Sequence, residues 1–218
     1  MFIHSETGFL VYCILSHKYD PVITNVKEVN MKGIHMPDGH RIILNQFLSQ
    51  LEGVEINNIL DCGSGKTSLG VLSSWFDNIV IDAIVYPGDL RKINSIKSIG
   101  LNQDKYNLIE WDICKEPLKT HYDLAVSHLL LGEAAKFGNP FEELFLGLMS
   151  VCFKYLIIID YLEDTGINYN LMEQYFEKNN YEIINKVIVE NKEPQNFIGF
   201  TGYHNIGYLI HQSKRFLL

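Results

Sequence analysis

At 218 residues the chain is long enough for one α/β domain with a full core, and 47% hydrophobic against 20% charged residues exclude a disordered chain. A net charge of −8 argues against a nucleic-acid backbone as the main partner, since such binders carry a basic face, and leaves a small-molecule partner as the expectation. The acidity does not exclude a local basic patch, and solubility is its plainest reading.

The four cysteines, Cys13, Cys62, Cys114 and Cys152, form no C-x-x-C pair, and none lies near a histidine at metal-ligand spacing, so no metal site is expected. Cys62, and Cys152 within an apolar helical stretch, read as small buried hydrophobes, and free thiols suit a reducing cytoplasm. The apolar run from Gly8 to Leu15 follows Glu6 and lacks a basic leader, which makes it a poor signal peptide. Nothing approaches membrane-spanning length.

Residues 1–36 form a segment of unclear structure, in which the apolar residues 9–15 suit a strand or a short helix. The domain proper spans 37–218. After the turn Pro37-Asp38-Gly39, the residues Ile43, Leu44, Phe47, Leu48 and Leu51 recur at helical spacing. A first strand covers Asn57 to Asp61, and Leu69, Leu72, Trp75 and Phe76 give one stripe of the helix after it. Ile79 to Val85 reads as a second strand, interrupted only by Asp82 and ended by Tyr86-Pro87-Gly88-Asp89. A short helix follows, with Leu90, Ile93 and Ile96. Strands three, four and five are expected at Tyr106 to Glu110, Tyr122 to Ser127 and Tyr155 to Ile159. Asn139-Pro140 reads as a helix start, with Asn as cap and Pro in the first turn. Leu171, Met172, Tyr175 and Phe176 mark one more helix. Ile183 to Val189 and Tyr208 to His211 are then two strand-like runs without a helix between them.

Alternating helices and continuously apolar strands argue for a parallel sheet covered on both faces, closed by an antiparallel hairpin with a long loop over 190–206. In open sheets of this kind ligands lie at the carboxyl ends of the strands. The stretch Asp61-Cys62-Gly63-Ser64-Gly65-Lys66-Thr67 falls at such an end. Its Gly-Lys-Thr letters suggest a phosphate loop, but that loop needs a glycine at position 60, which is Leu60. A dinucleotide pattern counted from Gly63 needs a third glycine at position 68, which is Ser68.

The pattern Asp61-x-Gly63-x-Gly65 is instead similar to the first motif of class I S-adenosylmethionine-dependent methyltransferases, although the third glycine of that motif falls on Thr67. The resemblance covers about residues 38–215. It implies a Rossmann-like seven-stranded sheet, mostly parallel with an antiparallel last strand. It also implies S-adenosylmethionine as cofactor and methyl transfer to an unidentified acceptor, expected to be a small molecule. Asp61, Gly63, Ser64 and Gly65 would then lie along the cofactor. The acid that should end strand two and hold the ribose is missing, since Ile84 and Val85 occupy that place. Asp82 falls early and Asp89 late; Asp89 on a loop has the better reach, and Asp82 as a buried or capping acid is the plain alternative. Asp112 after strand three would accept from the adenine amino group, with Ile113 contributing backbone; a helix cap or a loop acid is its plain reading.

Ser127 and His128 end strand four, where the family places substrate-facing residues. His128 could serve as a general base, or simply line the pocket. Glu133 reads as a helix residue, Tyr161 as a packed aromatic, and the aromatic loop 197–204 as a lid or a plain hairpin loop. The Asn-Pro-Pro-Tyr signature and a Pro-Cys pair are both absent. The rival readings are a methyltransferase-like cofactor-binding scaffold without catalysis, a nucleotide-binding oxidoreductase and a P-loop phosphotransferase.

Overall fold

The computed structural model describes residues 2–4, 10–14, 38–115, 117–118, 120–132, 140–162, 166–190 and 204–212. The expectations for Glu133 and Asn139, and for nearly all of the loop 197–204, lie outside the described residues.

Nine strands form one sheet. They are β1 (Phe2–His4), β2 (Leu10–Ile14), β3 (Ile59–Cys62), β4 (Ile81–Val85), β5 (Tyr106–Glu110), β6 (His121–His128), β7 (Cys152–Tyr161), β8 (Tyr181–Glu190) and β9 (Asn205–Gln212). Their order across the sheet is β1-β2-β8-β9-β7-β6-β3-β4-β5. The pairs β3–β4, β3–β6, β4–β5 and β6–β7 are parallel, whereas β9 runs antiparallel to both β7 and β8. The seven strands β3 to β9 are therefore the expected sheet, with six strands in one sense and the last reversed. Residues 9–15, which suited a strand or a short helix, contain the strand β2, and β1 and β2 extend the sheet antiparallel beyond β8.

Among the described residues the sheet is flanked by α1 (Asp38–Gln50), α2 (Lys66–Trp75), α3 (Leu90–Lys97), α4 (Phe141–Met149) and α5 (Tyr169–Lys178). Successive strand residues point to opposite faces, so two cores form. Ile59, Ile81 and Val126 pack with Ile43, Phe47 and Leu72 under α1 and α2. Leu60, Ile84 and Leu156 pack with Phe145, Leu148 and Phe176 under α4 and α5. A Cβ at Gly207 of β9 would lie 2.3 Å from Ile43 and 2.8 Å from Phe47, so this glycine lets α1 settle directly on the sheet. That seating fixes the first turn of α1 over the ends of β7 and β9.

Two local expectations are corrected. Cys152 is exposed and opens β7, because the apolar stretch around it splits into the end of α4 and a strand. Pro140 is the N-cap of α4 rather than a residue of its first turn.

Candidate functional site

A cleft of about 450 Å³ opens at the carboxyl ends of the parallel strands. Gly63 and Ser64 after β3, Val85, Tyr86 and Asp89 around the end of β4, Trp111 to Cys114 after β5, and Leu129 and Leu130 after β6 supply most of its wall. Arg91 and Lys92 of α3 and Glu143 of α4 complete the charged part of the lining.

Asp61 sits under the glycine turn and is fully buried. Its Oδ2 accepts hydrogen bonds from Ser64 Oγ at 2.5 Å and Ser68 Oγ at 2.8 Å, whereas its Oδ1 is buried with no partner. Burial pushes the carboxyl up to about 6, against the two serine hydroxyls and the Lys92 charge, which pull it down. The two glycines of the turn do different work. Gly63 has φ +68°, and a Cβ there would lie 2.7 Å from the Leu130 side chain, so the turn itself requires glycine. Gly65 has φ −135°, and a Cβ there would meet only Lys92 Nζ, at an unstrained 3.7 Å. The fold does not need glycine at 65.

The four remaining strand ends separate the expected residues. Asp82 is not part of the cleft: its oxygens accept from Asn107 Nδ2 at 2.9 Å and Tyr122 Oη at 2.8 Å. Asp89 does line the cleft, and its Oδ1 caps α3 by accepting from the Lys92 amide at 3.0 Å. Asp112 lines it too, with Oδ1 accepting from the Cys114 amide at 3.1 Å and Oδ2 paired with Lys115 at 3.1 Å. Ile113 is held from behind by α4, where Gly147 lets the helix approach; a Cβ there would stand 2.5 Å from the Ile113 carbonyl oxygen. Ser127 is buried with an unpartnered Oγ.

His128 lies beyond the cleft lining, at the end of β6, and Leu129 after it adopts φ +60°, a conformation that disfavours a branched side chain. The Leu129 amide donates to the Ile159 carbonyl at 2.9 Å, and Asp160 Oδ2 accepts from the Gly132 amide at 2.9 Å. These contacts hold the loop that presents His128. Its Nε2 is 3.0 Å from Nδ1 of His40, in the first turn of α1. Tyr161 packs on the other side of His40, with ring centroids 4.8 Å apart. Burial and the nearby Lys92 charge depress His128 to about 4, and burial followed by His128 holds His40 well below its ordinary value.

His40 was missed in the sequence. Its signal was there, since 40 extends the stripe 43, 44, 47, 48 and 51 by one turn and so had to face the sheet. Lys92, in the first turn of α3, also lines the cleft.

No family model matches the sequence, and no curated protein matches it. Solved structures do match in fold. An rRNA methylase from Escherichia coli superposes with a TM-score of 0.51 at 16% identity, over 80% of this chain and 65% of its own. An RNA methyltransferase candidate from Pyrococcus horikoshii gives a TM-score of 0.61 at 12% identity, over 86% of this chain and 90% of its own. An S-adenosylmethionine-dependent methyltransferase from Clostridium acetobutylicum gives 0.53 at 13% identity, over 84% and 94%. The chain thus spans less than two thirds of the length of the Escherichia coli protein. Since rRNA methylases stand among the structures sharing this fold, the setting aside of nucleic acid on the strength of a −8 net charge is corrected. Whole-chain charge averages over the surface and does not describe the rim of one cleft. Strand order, the reversed last strand and the superpositions together establish the class I S-adenosylmethionine-dependent methyltransferase fold for this chain.

Proposed function

We propose that the protein is an S-adenosylmethionine-dependent methyltransferase whose cofactor-binding unit is residues 37–218. The observation that carries this reading is the orphaned Oδ1 of Asp61, buried beneath a glycine turn whose Gly63 and Ser64 line the cleft. A buried, unpartnered carboxylate oxygen is costly unless a donor or cation reaches it. The ammonium group of a methionine moiety is such a donor, and Lys92 at the same turn supplies a cation for its carboxylate. When bound, the cofactor offers an electrophilic methyl group on a sulfonium.

The protein's part is to hold the two reactants in line and exclude water, which can contribute several kcal/mol. Asp89, on the β4–α3 loop, takes the ribose, in place of the acid missing from the end of β4. Asp112 accepts from the adenine amino group, and Ile113 lines the ring. Ser127 and His128 face the acceptor side. The sequence alone favours a small-molecule acceptor, while the Escherichia coli protein with this fold is an rRNA methylase, so the acceptor screen must hold both classes. Incubation with methyl-labelled donor and a panel of small molecules and RNAs should label one acceptor class. Cofactor binding without label in any acceptor would favour a non-catalytic cofactor-binding protein instead.

A further inference from the structure

The His40–His128 pair is not accounted for by cofactor binding. His40 is fully buried and His128 half-buried, and two neutral imidazoles 3.0 Å apart can share only one proton along the Nδ1···Nε2 line. Which ring donates decides which nitrogen of His128 keeps a lone pair. If His40 donates, His128 must carry its proton on Nδ1. If His128 donates from Nε2, its Nδ1 is a bare acceptor, and His40 carries its own proton on Nε2.

The surroundings of His40 choose between these. His40 Nε2 is buried without a partner of full hydrogen-bond geometry, and so is Asn205 Oδ1. Asn205 packs against the same turn of α1, since a Cβ on Gly39 would overlap its side-chain amide at 2.2 Å. Asn205 also acts on His40 as a hydrogen-bonding group that raises its pKa, the sense expected of an acceptor receiving a ring N–H. An N–H on His40 Nε2 thus gives both orphaned atoms a use; a bare nitrogen there would leave both without one.

We propose that Asn205 and His40 form a positioning relay that holds His128 as the Nε2–H tautomer and leaves its Nδ1 lone pair to take a proton from the methyl acceptor. This rests on the methyltransferase reading above. In the proton step the acceptor's N–H or O–H bond breaks, its electron pair stays on the acceptor, and the proton moves to His128 Nδ1. The imidazolium charge then spreads toward His40 through the shared bond. Neither Asn205 nor His40 touches the acceptor; they fix the ring that does, as second partners of catalytic histidines do. The charged and titratable groups facing the pair among the described residues are Lys92 from α3 and Tyr161 from β7. Among the described residues no carboxylate shifts either histidine, so the rings stay neutral and the lone pair stays available through the physiological range.

The test is ¹⁵N NMR of the full chain labelled in its imidazole rings, with and without S-adenosylhomocysteine. The relay requires His128 and His40 to be Nε2–H tautomers, neutral at pH 6 and above. His40→Asn, which puts an amide oxygen near the place of Nδ1, should keep the His128 tautomer; His40→Leu should lose it and give a mixture. Should His40→Leu not fold, Asn205→Asp provides the second variant, and its carboxylate should raise the titration of the pair. An Nδ1–H tautomer at His128 in the unmodified protein overturns the relay. So does a His128 tautomer unchanged in His40→Leu, or a titration unmoved in Asn205→Asp. Calorimetry with S-adenosylhomocysteine on the same samples reads the parent proposal separately. Absent binding with an intact tautomer signature counts against the methyltransferase, and normal binding with the wrong tautomer counts against the relay alone.

Discussion

Asp61 concentrates the conflict between stability and ligand binding in one side chain. Burial lifts its carboxyl from 3.8 to about 6, so ionising it in the folded state costs about 3 kcal/mol. A carboxyl with a raised folded pKa favours folding while protonated. That contribution is complete below about 4 and is lost as pH rises through about 6. Asp61→Asn should therefore raise the melting temperature of the ligand-free protein at pH 7, while cutting S-adenosylmethionine affinity at least tenfold by calorimetry. Because a cationic ligand favours the ionised form, affinity of the unmodified protein should climb as pH rises through about 6 and then level off. The two turn glycines separate fold from function in the same way. Gly63→Ala forces a side chain into φ +68° against Leu130 and should cost about 2 kcal/mol or more in denaturant titration. Gly65→Ala meets only ordinary contact, and should change stability by less than about 0.5 kcal/mol while weakening cofactor binding.

Among the elements, α4 and α1 act on the site from opposite faces of the sheet. Gly147 of α4 backs the Asp112–Ile113 loop, and Gly147→Ala would drive a methyl group into the Ile113 carbonyl at 2.5 Å. The loop or the helix must move, so both the melting temperature and cofactor affinity should fall; loss of stability with unchanged affinity would mean that the loop does not touch the cofactor. From α1 onward the strands and helices themselves were legible, because apolar runs and 3.6-residue stripes are local patterns, whereas β1 was not legible and β2 suited strand and helix alike. The Asp61 turn was legible for the same reason. The place of Asp82 was not. Its partners, Asn107 and Tyr122, lie 25 and 40 residues away, one on the adjoining β5 and the other on β6 beyond β3, and only the sheet order and register bring them together. His40 was lost for a related reason: its meaning comes from His128, 88 positions on. Cys152 shows the limit of apolar runs, which do not say where a helix ends and a strand begins.

At the scale of the molecule, seven strands place Asp61, Asp89, Asp112 and His128 along one edge, and β1 and β2 lengthen the sheet at the far end, beyond β8. A ligand filling the cleft couples four strand ends, so cofactor at a hundred times its dissociation constant should add about 2.7 kcal/mol to unfolding stability. The Gly-Lys-Thr letters predict a contrast within one turn: Lys66→Ala should leave cofactor affinity within about twofold, and Lys92→Ala should reduce it by about tenfold or more. Isothermal calorimetry of the purified protein with S-adenosylmethionine at pH 7.5 bears most directly on the whole account. One site per chain, weakened at least tenfold by Asp61→Asn and weakened by Gly65→Ala, is the predicted result; no heat of binding at millimolar ligand would contradict it.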